Sequence, residues 1–127
     1  MSRMCCTTTV LLAALMAVAG TVHGEGNAKR GAEVFIEECG VCHSSIPGKN
    51  KVGPTLSGIN GRIAGSVPDF AGYSGAMKES GIMWTSEKLD LYIAAPKKVV
   101  PGNKMAYDGL ADAGARADVI AYLLTLK

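Results

Sequence analysis

Aromatic residues make up only 6% of this 127-residue chain, with one tryptophan and two phenylalanines. A chain of one-domain length with so few large rings has little material for an extensive apolar core. Charge is modest as well. Thirteen lysines and arginines face 11 aspartates and glutamates, for a formal net charge of +2. The basic residues form no long run, which argues against a nucleic-acid partner. Histidine is scarcer still, with only His23 and His43 in the whole chain. No internal repeat and no phosphate-cradling glycine motif is present.

The one strongly apolar stretch lies at the start, in MSRMCCTTTVLLAALMAVAGTVHG. Arg3 supplies a short positive region, residues 10–19 an apolar centre, and Val22-His23-Gly24 a small-residue cleavage site. Its apolar part is about half the roughly 20 residues a spanning helix needs. The reading is an export signal, residues 1–24, cleaved after Gly24, followed by one domain over 25–127. An uncleaved anchor is the competing reading. Export places the working chain in a bacterial periplasm. Without the leader, Cys39 and Cys42 are the only cysteines, His43 the only histidine, and Met77, Met83 and Met105 the only methionines. A serine–histidine–aspartate triad would then have to use His43.

That histidine closes the pentapeptide Cys39-Gly-Val-Cys42-His43, for which three chemistries compete. A disulfide or redox dithiol is open to an exported protein. Such a dithiol usually opens a helix after a strand, and no strand pattern precedes Cys39. A closed zinc site wants four nitrogen or sulfur ligands. This chain gathers its three in one pentapeptide. The third chemistry is covalent haem attachment, whose signature is Cys-X-X-Cys-His. Two intervening residues let one helical turn carry a sulfur to each of two neighbouring vinyl groups, with the histidine next in line for the iron. The motif is read as attachment of one haem c through Cys39 and Cys42.

Haem iron takes a second axial ligand whose identity sets its chemistry. Ligation by two histidines is excluded after leader removal. Thioether sulfur is the natural alternative, which leaves Met77, Met83 and Met105 as candidates. Met77 and Met83 lie in a glycine-rich stretch and read equally well as core filler. Met105 follows a Pro101-Gly102 turn suited to holding a short extended segment.

Helical spacing predicts three main helices. The first starts at an Asn27 cap and runs to about Cys39, with Gly31, Val34, Phe35 and Glu38 in register. The second runs from about Ser86 to Ala94 behind a Thr85 cap and ends before Pro96. The third covers 115–127, with Val119, Ile120, Leu123 and Leu126 in register and Asp112 near its start. Gly31 costs about 1 kcal/mol in a helix relative to alanine. Its presence predicts close approach by another backbone, with the last helix as partner. Residues 44–75 are rich in Gly, Pro and Ser and read as loops wrapping a prosthetic group.

These residues together carry a known pattern. Gly31 and Phe35, the attachment motif, Val52-Gly53-Pro54-Thr-Leu56 and Gly58-Ile-Asn-Gly61-Arg62 are followed by Tyr73-Ser74, Trp84, Leu89, Tyr92 and Pro96-Lys97-Lys98. Pro101-Gly102-Asn103-Lys104-Met105 and Val119-Ile-Ala-Tyr122-Leu complete the set. The ordered series resembles class I cytochrome c, close to the mitochondrial type and bacterial cytochromes c2 and c550. The resemblance implies an all-α fold with crossed terminal helices. It implies thioethers at Cys39 and Cys42, and iron ligation by His43 and Met105. The Pro54 carbonyl would accept the other imidazole N–H, fixing its tautomer. Leu56 would pack near the histidine side, and Val119 and Tyr122 on Gly31 and Phe35. Arg62, Tyr73 and Trp84 would meet the haem propionates, with Ser74 adding a hydroxyl. Tyr92 would bond near the Met105 sulfur. Two departures stand out: an extra residue, Gly72, before Tyr73, and Met77 where many relatives carry asparagine.

The function so implied is one-electron transfer by a monomeric carrier, without an enzymatic acid, base or small-molecule substrate. Its partners would be redox complexes with acidic docking surfaces, such as a bc1-type complex, an oxidase, a reaction centre or a periplasmic reductase. Lys49, Lys51, Lys97, Lys98 and Lys104 are expected around the docking edge. Glu87, Asp90, Asp108, Asp112 and Asp118 are expected mostly away from it. The alternatives are a dedicated haem subunit of one dehydrogenase or reductase complex, and a haem enzyme or gas sensor with a labile sixth ligand.

Overall fold

The computed structural model of the chain describes residues 25–127. The expected leader and its cleavage after Gly24 lie outside the described residues. Asn27 is extended, and its side-chain oxygen accepts from Arg30 N at 3.0 Å, which starts helix α1, Ala28–Val34. The helix does not run on regularly to Cys39. It widens into one π-helical turn, Phe35–Cys39, closed by Gly40 N donating to the Phe35 carbonyl at 2.7 Å. A π turn inserts a residue into the repeat and rotates whatever follows. Here it re-aims the attachment cysteines.

Helix α2, Gly75–Glu79, is a short addition to the expected set, capped by the Ser74 hydroxyl accepting from Met77 N. Helix α3 spans Ser86–Ala94, and Thr85 caps it as expected. Pro96 ends α3 and also opens helix α4, Pro96–Val99, because a first-turn proline sacrifices no hydrogen bond. Helix α5, Ala113–Leu123, starts earlier than the periodicity suggested, with Asp112 accepting from Ala115 N at 2.7 Å. It also stops earlier. The last residues turn back so that the Leu126 carbonyl accepts from Gly58 N. Between the π turn and α2 the chain is looped, and Ile63 in this stretch forms an antiparallel bridge with Met83, beyond α2. Among the described residues no helix is long and apolar enough to cross a membrane.

Helices α1 and α5 cross at Gly31, where a Cβ would run into the Asp118 carbonyl and lie 2.9 Å from the Tyr122 Cβ. Gly26 makes a second close approach, to the Ala117 carbonyl. Phe35 and Tyr122 pack beside the crossing with ring centroids 5.4 Å apart. Asp118, expected as a surface charge, is buried in this contact. Its carboxylate accepts from Asn27 N at 2.6 Å and from Arg30 Nε and Nη2 at 2.7 and 3.0 Å. A buried carboxylate is tolerated because each oxygen is satisfied. Arg30, and after it the Asn27 N–H, hold the carboxyl below its ordinary range. The core also takes in Trp84, Leu89, Tyr92, Val100, Val119, Ile120 and Leu123, so α3 is seated on α5.

Two outcomes test this packing. Gly31→Ala forces backbone apart rather than a flexible side chain, so it should cost about 1–3 kcal/mol in denaturant unfolding. Asp118 has a depressed carboxyl pKa in the folded chain. Its stabilising effect is present above the unfolded value, about 4, and is lost as pH falls through the folded one. Asp118→Asn should therefore lower the melting temperature at pH 7, by a margin that shrinks as pH falls below about 4. A margin that stays constant over that range would show that the charge is not what matters.

Candidate functional site

The attachment pentapeptide forms the turn that follows the π segment. Cys42 N and His43 N both donate to the Cys39 carbonyl, at 3.1 and 2.8 Å. Cys39 is half-buried and Cys42 exposed. Burial, with the Glu38 carboxylate adding to it, pushes the Cys39 thiol up to about 11. His43 is fixed by its Nδ1, 2.8 Å from the Pro54 carbonyl oxygen. A carbonyl only accepts, so Nδ1 carries the proton and Nε2 keeps its lone pair. Burial lowers the His43 pKa, the Pro54 carbonyl opposes this, and Arg62 and Lys51 lower it further. The imidazole is neutral, the form that ligates metal.

The loop that presents Pro54 is stapled to the attachment turn. Gly53 N donates to the Cys42 carbonyl at 2.8 Å and Leu56 N to the Ser44 carbonyl at 2.9 Å. The Lys51 ammonium reaches the Gly40 carbonyl. A Cβ at Gly53 would strike the His43 ring, so glycine here makes room for the imidazole. Arg62 does something the resemblance did not imply. Its Nη1 and Nη2 donate to the Ser57 and Thr55 carbonyls, both at 2.8 Å, bracing the loop on the histidine side.

The second candidate donor is a sulfur. Tyr92 is buried in α3, which pushes its pKa up to about 12 and keeps its hydroxyl protonated. That hydroxyl lies 3.9 Å from Met105 Sδ. Trp84 packs on Tyr92 with centroids 4.9 Å apart. Asn103 organises the segment: its Nδ2 donates to the Pro96 and Val100 carbonyls, and its Oδ1 accepts from Met105 N at 2.9 Å. The sequence reading marked Asn103 only as part of a motif. An amide two residues before an exposed backbone N–H is the available signal, because asparagine readily forms such a turn. The other two methionines are placed differently. Met83 is 52% exposed at the bridge, and Met77 lies half-buried in α2 against the core.

The residues expected at the propionates have chain partners here. The Tyr73 hydroxyl accepts from Val67 N at 3.3 Å and Ser74 caps α2. Tyr73 lies close enough to Arg62 to raise its pKa against the lowering effect of burial. Phe70 meets Tyr73 edge-on at 4.9 Å, across the extra Gly72. The charges also depart from expectation. Asp108, expected away from the lysines, pairs with Lys97 at 2.7 Å.

The donor set fits a haem. Among the described residues no three His, Cys, Asp or Glu side chains converge on one metal ion. What the chain offers is one imidazole nitrogen, one thioether sulfur and two thiols a turn apart, which suits a group that brings its own equatorial ligands. Fold and site together define an all-α protein built around one covalently held haem.

Comparison with known proteins agrees. The cytochrome c family model matches residues 28–127. The chain is 47% identical over 102 residues to cytochrome c of Euglena viridis, covering 80% of this chain and 99% of that one. It is 49% identical over 102 residues to cytochrome c2 of Rhodopila globiformis, covering 80% and 95%. Among solved structures, cytochrome cH from Methylobacterium extorquens superposes with a TM-score of 0.73 at 43% identity, covering 79% of this chain and 99% of that one. The chain belongs to the class I cytochrome c family. It carries one haem c through Cys39 and Cys42 and transfers electrons.

Asn103→Ala would remove three hydrogen bonds around Met105 and leave its N–H unpaired. A loss of about 1–3 kcal/mol is expected, read as a lower guanidinium midpoint with unchanged slope.

Proposed function

We propose that this chain is an exported carrier whose haem iron is held between His43 and Met105. It would work in a bacterial periplasm and dock on its redox partners through the edge that carries the thioethers. The observation that carries this reading is the pairing of two prepared donors. His43 has one nitrogen tied to Pro54, and Met105 has its backbone held by Asn103 and its sulfur approached by Tyr92. A haem bound here supplies an iron that alternates between the ferric and ferrous states. Methionine sulfur favours the ferrous state and raises the potential, as does an apolar surrounding. Arg62, Tyr73, Ser74 and Trp84 would serve the propionates. Arg62 would do so with the N–H groups that its two loop carbonyls leave free.

A held Met105 segment supports a closed sixth position over an enzyme or gas sensor. Val41 within the attachment turn and Val52 in the loop stapled to it are 79% and 80% exposed, and Lys49, Lys98 and Lys104 are exposed as well. An apolar centre with scattered cations suits brief encounters with acidic surfaces of respiratory or photosynthetic complexes.

Met105→Leu tests the ligand pair. The long-wavelength absorption band of the ferric protein should vanish and the midpoint potential should fall. An unchanged spectrum and potential would refute the reading. Docking is tested by charge reversal. Lys98→Glu or Lys104→Glu should slow electron transfer to an acidic oxidase at low salt, with the difference shrinking as salt rises. Lys97→Glu should matter less, because Asp108 already neutralises that lysine.

A further inference from the structure

We propose that Tyr107 and Glu38 form a latch that keeps the Met105 segment closed against the attachment turn. Tyr107 then acts as a positioning residue for the sulfur ligand, and the proposal rests on the reading of Met105 as that ligand. The Tyr107 hydroxyl donates to Glu38 Oε2 at 2.7 Å, across 69 positions of sequence. Glu38 immediately precedes Cys39, and Tyr107 stands two residues beyond Met105, with its N–H donating to the Met105 carbonyl at 3.0 Å. One hydrogen bond therefore ties the haem-anchoring end of the first helix to the sulfur-bearing segment.

The restraints on either side of Met105 are unequal. On its N-terminal side Asn103 makes three bonds. On its C-terminal side Ala106 is exposed, Asp108 makes only the solvent-exposed pair with Lys97, and the next backbone anchor is Leu110 N, donating to the Ile93 carbonyl. Among the described residues, the Tyr107–Glu38 bond is the one side-chain hydrogen bond joining residues 103–109 to the first helix and its π turn. A segment with few apolar contacts opens readily unless a specific bond opposes it. Drawing Met105 away by swinging residues 105–109 outward requires breaking this bond. The carboxylate makes it charge-assisted, while the exposure of Glu38 limits its strength.

The test uses the ferric holoprotein at one pH with imidazole as the competing ligand, read by loss of the long-wavelength band. Tyr107→Phe keeps the ring and removes only the donor, and Glu38→Ala removes the acceptor. Each should raise imidazole affinity about three- to tenfold, the scale of a partly exposed charge-assisted bond. Glu38→Gln retains an acceptor oxygen without the charge and should fall between wild type and Glu38→Ala. The Tyr107→Phe/Glu38→Ala double variant should match the single variants rather than multiply them. Asp112→Ala, which removes the α5 cap instead, should leave imidazole affinity unchanged. Wild-type affinity in Tyr107→Phe and Glu38→Ala, multiplicative effects, or an equal gain in Asp112→Ala would each overturn the latch. Such a failure leaves the ligand assignment standing, because it is read in variants that keep the band. Retention of the band in Met105→Leu would overturn both.

Discussion

Backbone contact between α1 and α5 at Gly31 is the constraint on which the site depends. Side chains at a helix crossing ordinarily hold axes 8–10 Å apart. Glycine at 26 and 31 lets the two backbones meet more closely, and the buried Asp118 carboxylate then ties the start of α1 to the side of α5. Cys39 lies only eight positions after Gly31, and the last five of these, Phe35–Cys39, form the π turn. Fixing the crossing therefore fixes where the attachment turn begins. The π turn sets which way it faces.

From that origin the chain builds two walls by different means. The histidine wall is a set of short-range backbone staples between residues 40–44 and 51–57, with the Arg62 guanidinium as a cross-brace. The sulfur wall leans on α3 through Tyr92 and on α4 through Asn103. Hydrogen bonds supplement packing at both candidate donors: Pro54 fixes the His43 ring, and Asn103 fixes the Met105 backbone beside the core. Partly buried bonds of this kind are directional, so they define a ligand's orientation better than dispersion contacts do.

The sequence disclosed whatever depends on local chemistry. Asn27, Thr85 and Asp112 act as helix caps because short polar side chains bond to the next turn regardless of what surrounds them. The crossing at Gly31 was legible because glycine in a helix carries a cost that a close contact explains. Pro54 as acceptor for His43 and Tyr92 beside Met105 were legible only through family resemblance, since nothing local links residues 11 or 13 positions apart. The π turn was hidden, because Phe35-Ile-Glu-Glu-Cys39 has ordinary helical composition. Helix α4 was hidden because Pro96 was read only as a stop. The roles of Arg62, Asp118, Asn103 and the Glu38–Tyr107 pair depend on which segments meet. A charged or amide side chain looks solvated until its partner arrives from elsewhere in the chain.

The charge pattern follows the same logic. Counting lysines by position suggests a uniformly basic docking edge, yet Lys97 is spent on Asp108 and Lys51 reaches the Gly40 carbonyl. Glu38, adjacent to Cys39, adds an acidic group beside the attachment turn and engages it with Tyr107. Two of the five lysines are thus engaged within the chain, while Val41 and Val52 are exposed. Docking through the proposed edge would combine brief apolar contact with weak, screened attraction. For a carrier that must leave one complex to reach the next, a weak grip is what turnover demands, because release rates set most differences in affinity.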